Sequence, residues 1–327
     1  MQSFNSFKTN VFHINNQNFD NHALELFNYQ YNNNRTYHDY VQHLNVHPRA
    51  VNSISKIPFL PIRFFKNHKI KSKFFTSRHV FESSGTTGTV SKHYIEDLDF
   101  YKKVSYKIFS SFFGKIEGAV IIGLLPSYLE RGNSSLVYMV DYFVKKSGND
   151  NSGFYLDNME VLVDRLKILS HENSPVFLFG VTFALLELAN RFQFDFENLY
   201  ILETGGMKGR GKELIREELH LKLERAFNTK NIFSEYGMTE LLSQAYLRGD
   251  GFFHTPPWMQ IMVRQIQDPF SFAKSGQIGV LKVIDLANVH SCAFIETEDL
   301  GLAVGKKFKV IGRLDNADLR GCNLLLS

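Results

Sequence analysis

Cysteine, long apolar runs and an excess of charge of either sign are all scarce in this sequence. Its 327 residues include two cysteines, Cys292 and Cys322, which do not indicate the disulfide framework of a small secreted domain. The longest apolar run, 175–186, is too short to span a bilayer, and the first residues lack the apolar core of a secretory signal. A formal net charge of +4 is too small to indicate a nucleic-acid partner. These absences favour a cytoplasmic protein without a membrane span.

Hydrophobic residues are abundant by contrast, at 44% with 31 phenylalanines, as in a globular chain with a substantial core. Strand-like apolar runs alternate with helical patterns along the middle of the chain. The predicted strands are 118–125, 175–180, 199–206 and 231–237, and the predicted helices are 97–113, 130–146, 158–171, 181–192 and 210–227. This alternation predicts an α/β fold with mixed, mostly parallel sheets flanked by helices.

The two ends of the chain differ from this middle part. Helical patterns occur around 20–30 and 36–46, and strands and turns predominate after about residue 250. We therefore expect residues 1–250 to form an α/β core with a helical N-terminal segment. Residues 251–327 are expected to form a β-rich subdomain that ends in a short tail carrying Cys322.

The stretch FESSGTTGTVSKHYIED (81–97) concentrates small and hydroxyl-bearing residues beside a lysine. Glycines permit a tight turn whose N–H groups point at an anion, while hydroxyls and an ammonium add donors and positive charge. The stretch is not a P-loop, because Thr89 rather than lysine follows Gly88. A plain solvated loop is the alternative. The candidate phosphate-binding residues are Ser83, Ser84, Gly85, Thr86, Thr87, Gly88 and Lys92.

Four later motifs follow in order: ETGG (203–206), YGMTE (236–240), TEDLG (297–301) and GRLD (312–315). With SSGTTG and Lys92 they resemble the adenylate-forming superfamily of acyl-CoA ligases, luciferase-type enzymes and peptide-synthetase adenylation domains. The stretches PSYLERGNSSLVYMVDYFV, FFHTPPWM, IDLANVHSCAFIETEDLG and LRGCNLL resemble the LuxE-type acyl-protein synthetases within it. The likeness extends from about residue 50 onward, and it implies the large N-terminal domain of that superfamily, with a nucleotide-binding core.

The resemblance implies that a carboxylate attacks the α-phosphate of ATP, giving an acyl-adenylate and pyrophosphate. The barrier is mainly charge repulsion, so the site must supply donors, cations and Mg²⁺. The loop 83–88 with Lys92 would wrap the β- and γ-phosphates. Within YGMTE, which includes Gly237 and Met238, Tyr236 would stack on adenine, Thr239 would contact the α-phosphate and Glu240 would bind Mg²⁺.

The remaining motifs would hold the nucleoside. Gly205 and Gly206 would let the backbone approach adenine, Asp299 would bind the ribose hydroxyls, and Arg313 would contact ribose or phosphate. Each assignment has a plainer alternative, which the sequence leaves open. Lys92 is then a solvated lysine, Glu240 an acid at a helix N-terminus, the two glycines a strand-to-helix turn, and GRLD a β-turn.

The sequence departs from the superfamily at its end. It stops 12 residues after Asp315, so we expect the C-terminal lid domain, with its catalytic lysine, to be absent. Cys322 matches the acyl-accepting cysteine of the LuxE type, and Arg320 would favour its thiolate; an ordinary buried cysteine is the alternative. Cys292 is predicted to be a core residue. With His254 it makes two candidate ligands where a structural zinc needs four, so no zinc is expected.

The sequence therefore predicts an ATP- and Mg²⁺-dependent acyl-protein synthetase. It would activate a fatty or other carboxylic acid, load it as a thioester on Cys322, and pass it to an acyl reductase. Two alternatives remain at this point: an acyl- or aryl-CoA ligase, and a non-catalytic nucleotide-binding subunit of a reductase complex. His93, next to Lys92, is left open as a substrate contact or a loop cap.

Overall fold

The computed structural model describes residues 7–73, 75–83, 89–125, 132–155, 158–205 and 214–314. Its α-helices include α1 (Phe19–Asn33), α2 (Arg35–His43), α3 (Phe64–Asn67), α4 (Leu98–Phe113), α5 (Ser135–Ser147), α6 (Met159–Leu169), α7 (Thr182–Arg191) and α8 (Arg216–Phe227). Its strands are β1 (Leu60–Pro61), β2 (His79–Glu82), β3 (Lys92–Ile95), β4 (Val120–Leu124), β5 (Gly153–Phe154), β6 (Val176–Val181), β7 (Leu199–Thr204), β8 (Ile232–Tyr236), β9 (Ala245–Leu247), β10 (Phe253–His254), β11 (Met259–Arg264), β12 (Gly279–Asp285), β13 (Phe294–Val304) and β14 (Lys307–Arg313). Among these residues, no helix combines the length and the apolar character needed to cross a membrane.

Local capping sets where the helices begin. The Asp97 carboxylate accepts the N–H of Phe100 at the start of α4, over 3.0 Å. The Ser134 hydroxyl accepts the N–H of Val137 at the start of α5. Such side-chain acceptors satisfy N–H groups that have no partner within the helix. Because Ser134 is the cap, α5 begins later than the residue 130 that the hydrophobic pattern predicted.

The chain folds into two compact units, one of residues 77–253 and one of residues 1–76 with 254–327. The boundary between the units after residue 253 lies beside the predicted division at residue 250. In the fold the N-terminal segment belongs with the C-terminal part, whereas the sequence grouped it with the α/β core. The division into domains 1–250 and 251–327 itself stays a prediction.

The unit 77–253 is built on a parallel sheet, as the alternating pattern predicted. The strand order is β9-β8-β7-β6-β4-β5, parallel throughout except for the antiparallel pair β8 and β9. Every residue of β4 and β6 is buried, which is typical of strands covered by helices on both faces. A separate antiparallel hairpin, β2 and β3, was not predicted.

The other unit is β-rich in its C-terminal part, as expected. Strands β11, β12, β13 and β14 form an antiparallel sheet, and β1 adds to β13 in parallel. Helix α1 is fixed to this part by Gln30, whose buried amide donates to the carbonyls of Asn288 and Val289 and accepts from the N–H of Ala293. One buried amide with all three bonds satisfied ties the helical N-terminal segment to the sheet region.

Candidate active site

Two of the predicted motifs leave the same edge of the parallel sheet. Glu203 and Thr204 lie at the carboxyl end of β7, and Glu235 and Tyr236 at the carboxyl end of β8. The two strands are neighbours, with Thr204 opposite Glu235. Ligands of parallel α/β sheets bind beyond this edge. The fold therefore brings the ETGG and YGMTE motifs together.

The ETGG turn requires glycine at Gly205, whose φ is +72°. A side chain is strained in this left-handed conformation. The hydroxyl of Thr182, the first residue of α7, donates to the carbonyl oxygen of Gly205. Gly206 lies outside the described residues.

The Gly/Ser/Thr-rich stretch is the loop of the β2–β3 hairpin, in which Glu82 pairs with Lys92. At the base of the loop, the N–H of Ser83 donates to the carbonyl of Ser91 over 3.1 Å. The N–H of Ser91 in turn donates to the Ser83 hydroxyl over 2.9 Å. These two bonds close the base of the loop. The predicted phosphate contacts that lie outside the described residues are Ser84, Gly85, Thr86, Thr87 and Gly88.

Lys92 stands at the first position of β3 with its side chain 48% exposed, and its ammonium lies 3.7 Å from the Glu82 carboxylate. Exposed pairs of this kind contribute about 0–1 kcal/mol. The amine is thus held beside Glu82 by a weak interaction that an anion with several charges can replace. A solvated lysine describes the same environment, so both interpretations of Lys92 remain.

His93 joins this hairpin to the YGMTE turn. Its imidazole is buried, and Nδ1 lies 2.7 Å from the backbone carbonyl oxygen of Thr239. A carbonyl only accepts hydrogen bonds, so we assign the proton to Nδ1. The residue after Lys92 therefore joins the hairpin to the turn that carries Glu240, and the substrate contact and the loop cap stay predictions for His93.

Glu240 is 5% exposed and lies in a turn, followed by irregular residues and then β9. The interpretation of Glu240 as an acid at a helix N-terminus is therefore wrong. Across the described ranges, no group of three or more His, Cys, Asp or Glu is placed to hold a metal ion. A lone carboxylate suits Mg²⁺, which keeps water and substrate phosphates as its other ligands.

The three residues before Thr239 shape the turn. The Tyr236 ring is buried with its centroid 5.8 Å from that of Phe253. A Cβ at Gly237 would lie 2.8 Å from a carboxyl oxygen of Glu235, so the close approach of that carboxyl requires glycine. The Met238 carbonyl accepts the N–H of Leu241 over 3.1 Å. The turn therefore packs closely against the side chain of Glu235.

Asp299 and Arg313 lie opposite each other on β13 and β14, within the other compact unit. Nε of Arg313 lies 3.6 Å from Oδ1 of Asp299, and Nη2 of Arg313 lies 3.6 Å from the Glu298 carboxylate. Gly312 and Arg313 belong to β14, so the β-turn interpretation of GRLD is wrong for these two residues. The structure brings the predicted ribose contacts together as a pair.

The two cysteines stand differently. Cys292 is fully buried, with Sγ 3.4 Å from the carbonyl oxygen of Phe294. Burial raises the pKa of its thiol to about 12, so the thiolate does not form at neutral pH. The prediction of a core residue is confirmed. Cys322 lies outside the described residues.

A model of one protein family, described as Acyl-protein synthetase, LuxE, matches residues 131–327, which is more than half of the chain. The chain belongs to this LuxE family. A curated relative, "Long-chain-fatty-acid--luciferin-component ligase" of Aliivibrio fischeri, is 23% identical over 342 residues, covering 94% of this chain and 87% of the relative. The predicted membership of the LuxE branch is confirmed.

Solved structures show the fold of this LuxE-family chain. A 2-hydroxyisobutyryl-CoA ligase superposes with a TM-score of 0.68 at 14% identity, covering 90% of this chain and 67% of that one. ATP-bound MatB from Rhodopseudomonas palustris gives 0.54 at 15% identity, covering 72% and 47%. MenE from Bacillus subtilis, with ATP and magnesium, gives 0.52 at 18%, covering 75% and 52%. This chain therefore spans about half the length of MatB and MenE, and the predicted adenylate-forming fold is confirmed.

The LuxE-family chain also holds a buried polar cluster that sequence reasoning missed. Glu203 and Glu235 are both buried. Burial raises the pKa of Glu203 against the opposing effect of its hydrogen bonds with Thr182 and Ser234. Burial and the nearby Glu203 raise the pKa of Glu235 to about 7, against a hydrogen bond from Thr204. In the sequence, this cluster is indicated by one acidic residue near the end of each of two apolar runs, LYILET and NIFSEY.

Proposed function

We propose that the protein is an ATP-dependent, AMP-forming acyl-protein synthetase that activates a carboxylic acid as an acyl-adenylate. The observation that carries this proposal is the His93–Thr239 hydrogen bond in a LuxE-family chain. That bond joins the hairpin bearing Ser83 and Lys92 to the turn bearing Glu240. In this proposal the bond holds the phosphate donors close to a metal-binding carboxylate, as transfer from a polyphosphate requires.

The proposed nucleotide site takes its roles from the motifs of the superfamily. The 83–88 loop and Lys92 would hold the β- and γ-phosphates, and Thr239 the α-phosphate. Tyr236 and the backbone at Gly205 and Gly206 would contact adenine. In this proposal Asp299 binds the ribose hydroxyls, since a carboxylate accepts from both, and Arg313 adds positive charge beside ribose or phosphate.

Glu240 fits a magnesium ion because it is a single buried carboxylate close to the proposed phosphate contacts. When bound, the ion would neutralise charge on the transferring and leaving phosphates. The other proposed contacts to the phosphates come from residues of the chain. Thr239 would orient the α-phosphate, the loop donors would hold the β- and γ-phosphates, and Lys92 would offset the charge that develops on pyrophosphate.

Two steps complete the proposed reaction. A carboxylate oxygen of the acid bonds to the α-phosphorus while the bond to the bridging oxygen breaks, and pyrophosphate leaves with that electron pair. The Cys322 thiol then loses its proton to solvent, and its sulfur bonds to the acyl carbon as AMP departs. The product is a thioester that keeps the acyl group activated.

The name of the Aliivibrio fischeri relative supports a long-chain fatty acid as the substrate. The LuxE family supports transfer of the acyl group to an acyl reductase, which would take the thioester from Cys322. A cytoplasmic location stays part of the proposal. Other carboxylic acids remain in the substrate panel because the fatty acid is named for the relative alone.

Pyrophosphate exchange and intact-protein mass spectrometry test the proposal together. The protein is incubated with ATP, Mg²⁺ and long-chain, medium-chain and aromatic acids, with and without coenzyme A. We expect exchange with fatty acids and a mass increase equal to one acyl group. Cys322→Ala should keep the exchange and lose the adduct, whereas the matched variant Cys292→Ala should keep both.

Three results contradict the proposal. Exchange with a free acyl-CoA product and no adduct identifies an acyl-CoA ligase. ATP binding without exchange for any acid identifies a nucleotide-binding subunit. An adduct that persists in Cys322→Ala shows that another residue accepts the acyl group.

A further inference from the structure

A single hydroxyl stands between two oxygen acceptors at the end of β7. Oγ1 of Thr182 contacts both Oε1 of Glu203 and the backbone carbonyl oxygen of Gly205. A threonine hydroxyl has one hydrogen and cannot donate to both. The carbonyl only accepts, so it takes the hydroxyl hydrogen. The Glu203 contact is then a hydrogen bond only if the carboxyl itself donates.

We propose that Glu203 is held un-ionised and that it acts with Thr182 as a pair of positioning residues for the Gly205 backbone. The proton on Glu203 Oε1 points at Thr182, and the hydroxyl of Thr182 points at the Gly205 carbonyl. This inference rests on the proposed nucleotide site, because it is there that the backbone at Gly205 would lie against adenine.

The surroundings of Glu203 favour the un-ionised form. Its side chain is buried, and burial is the largest influence on its pKa, which is raised. The charged groups that act on it are Arg216 from α8 and Glu235 from β8, and His220 of α8 is connected to it through Ser234. Arg216 favours the carboxylate, while a second buried carboxyl at Glu235 opposes two ionised groups side by side.

The proton arrangement continues to a neutral histidine. The Ser234 hydroxyl hydrogen-bonds to Glu203, and Nε2 of His220 lies 2.9 Å from Ser234 Oγ. Burial lowers the pKa of His220 to about 4, with Arg216 adding to the effect, so the ring is neutral at pH 7. With the proton on Nε2, the donors run from His220 through Ser234, Glu203 and Thr182 to Gly205, and each has one acceptor.

These hydrogen bonds end at the backbone carbonyl of Gly205. Gly205 has φ = +72° and directly follows the last residue of β7, so it lies outside the strand pairing of the sheet. The Thr182 hydroxyl holds its carbonyl from α7. Ionisation of Glu203 would draw the hydroxyl hydrogen to the carboxylate and release the Gly205 carbonyl. Affinity for the nucleotide should then fall as pH rises through the pKa of Glu203.

The test compares wild type with Thr182→Val, Thr182→Ser and Glu203→Gln. The control, Thr229→Val, removes another buried threonine hydroxyl, one that donates to the Leu199 carbonyl over 3.0 Å at the opposite end of β7. ATP and AMP affinity is measured by calorimetry from about pH 6 to about pH 9, and melting temperature reports folding. Infrared difference spectra of wild type against Glu203→Gln, without nucleotide, report the C=O band of an un-ionised carboxyl.

We expect Thr182→Val to weaken ATP binding roughly 5- to 10-fold, the loss of one hydrogen bond. Thr229→Val should lower the melting temperature without weakening ATP binding. Thr182→Ser keeps a hydroxyl and should bind ATP as wild type does. Glu203→Gln should bind as wild type does at low pH and keep that affinity at high pH, because an amide N–H still donates. The infrared spectrum at neutral pH should contain the un-ionised carboxyl band.

The inference is overturned if the carboxyl band is missing at neutral pH, whatever the protein binds. It is also overturned if Thr182→Val binds ATP as tightly as Thr229→Val, or if wild type and Glu203→Gln share one pH profile. A wild type that binds no nucleotide but shows the carboxyl band refutes the proposed function and the positioning role together, leaving the proton assignment in place. The two failures are thus distinguishable.

Discussion

The imidazole of His93 donates a 2.7 Å hydrogen bond to the carbonyl of Thr239, 146 positions later in the chain. One residue lies on the hairpin whose loop carries the predicted phosphate donors. The other precedes the predicted metal-binding carboxylate of Glu240. This bond is the contact on which assembly of the proposed site depends.

Replacing His93 should impair adenylation more than folding. In His93→Ala the hairpin loses its bond to the 236–240 turn, and we expect kcat/KM for ATP in pyrophosphate exchange to fall roughly tenfold or more. The control is His43→Ala, at an exposed residue at the end of α2. Equal kcat/KM values for the two variants would show that the contact does not position the site.

Gly205→Ala should weaken nucleotide binding through the backbone. A Cβ at φ = +72° costs roughly 1 kcal/mol and turns the peptide away from its present direction. We expect a several-fold loss of ATP affinity in calorimetric titrations. Gly249→Ala is the matched control, since a Cβ there meets open space. Unchanged affinity in Gly205→Ala would contradict the assignment of this turn to the nucleotide site.

Glu235 should make the protein less stable as pH rises. Its pKa is raised from 4.5 to about 7 in the folded state, and Oε2 finds no hydrogen-bond partner among the described residues. The folded protein therefore binds a proton that the unfolded chain has already released. This contribution is fully present below the ordinary carboxyl pKa and is lost as pH rises through about 7.

The shift corresponds to roughly 3 kcal/mol of unfolding free energy. Urea unfolding of wild type across this pH window should show the loss, and Glu235→Gln should remove most of it because the amide does not ionise. Glu187→Gln, on the surface of α7 with its side chain 55% exposed, is the control. If the pH slopes of wild type and Glu235→Gln coincide, Glu235 does not titrate in this range.

Cys292 should resist alkylation until the protein unfolds. Its thiol is buried and its pKa is raised to about 12, so thiolate is scarce and inaccessible. Iodoacetamide treatment followed by peptide mass spectrometry should leave Cys292 unmodified in buffer and modify it in urea. Modification of Cys292 in buffer at a rate close to that in urea would contradict the packing described here.

Residue patterns alone predicted the parallel sheet well. The strands at 175–180, 199–206 and 231–237 match β6, β7 and β8 to within a few residues, because continuous apolar runs between helical patterns identify strands buried on both faces. The β2–β3 hairpin was missed because its four-residue strands do not follow a clear alternation. The segment between the two strands was nevertheless recognised by its glycine, serine and threonine content.

The sequence by itself determined the class of fold, the family and the motifs of the candidate site, since each depends on local pattern or on short ordered stretches. Only the tertiary structure decided which motifs meet. His93 reaches Thr239, and Thr182 reaches both Glu203 and Gly205, because parallel strands bring distant carboxyl ends to one sheet edge. Whether a buried carboxyl carries a proton depends likewise on burial and on the hydroxyls that surround it, which no run of neighbouring residues in the chain specifies.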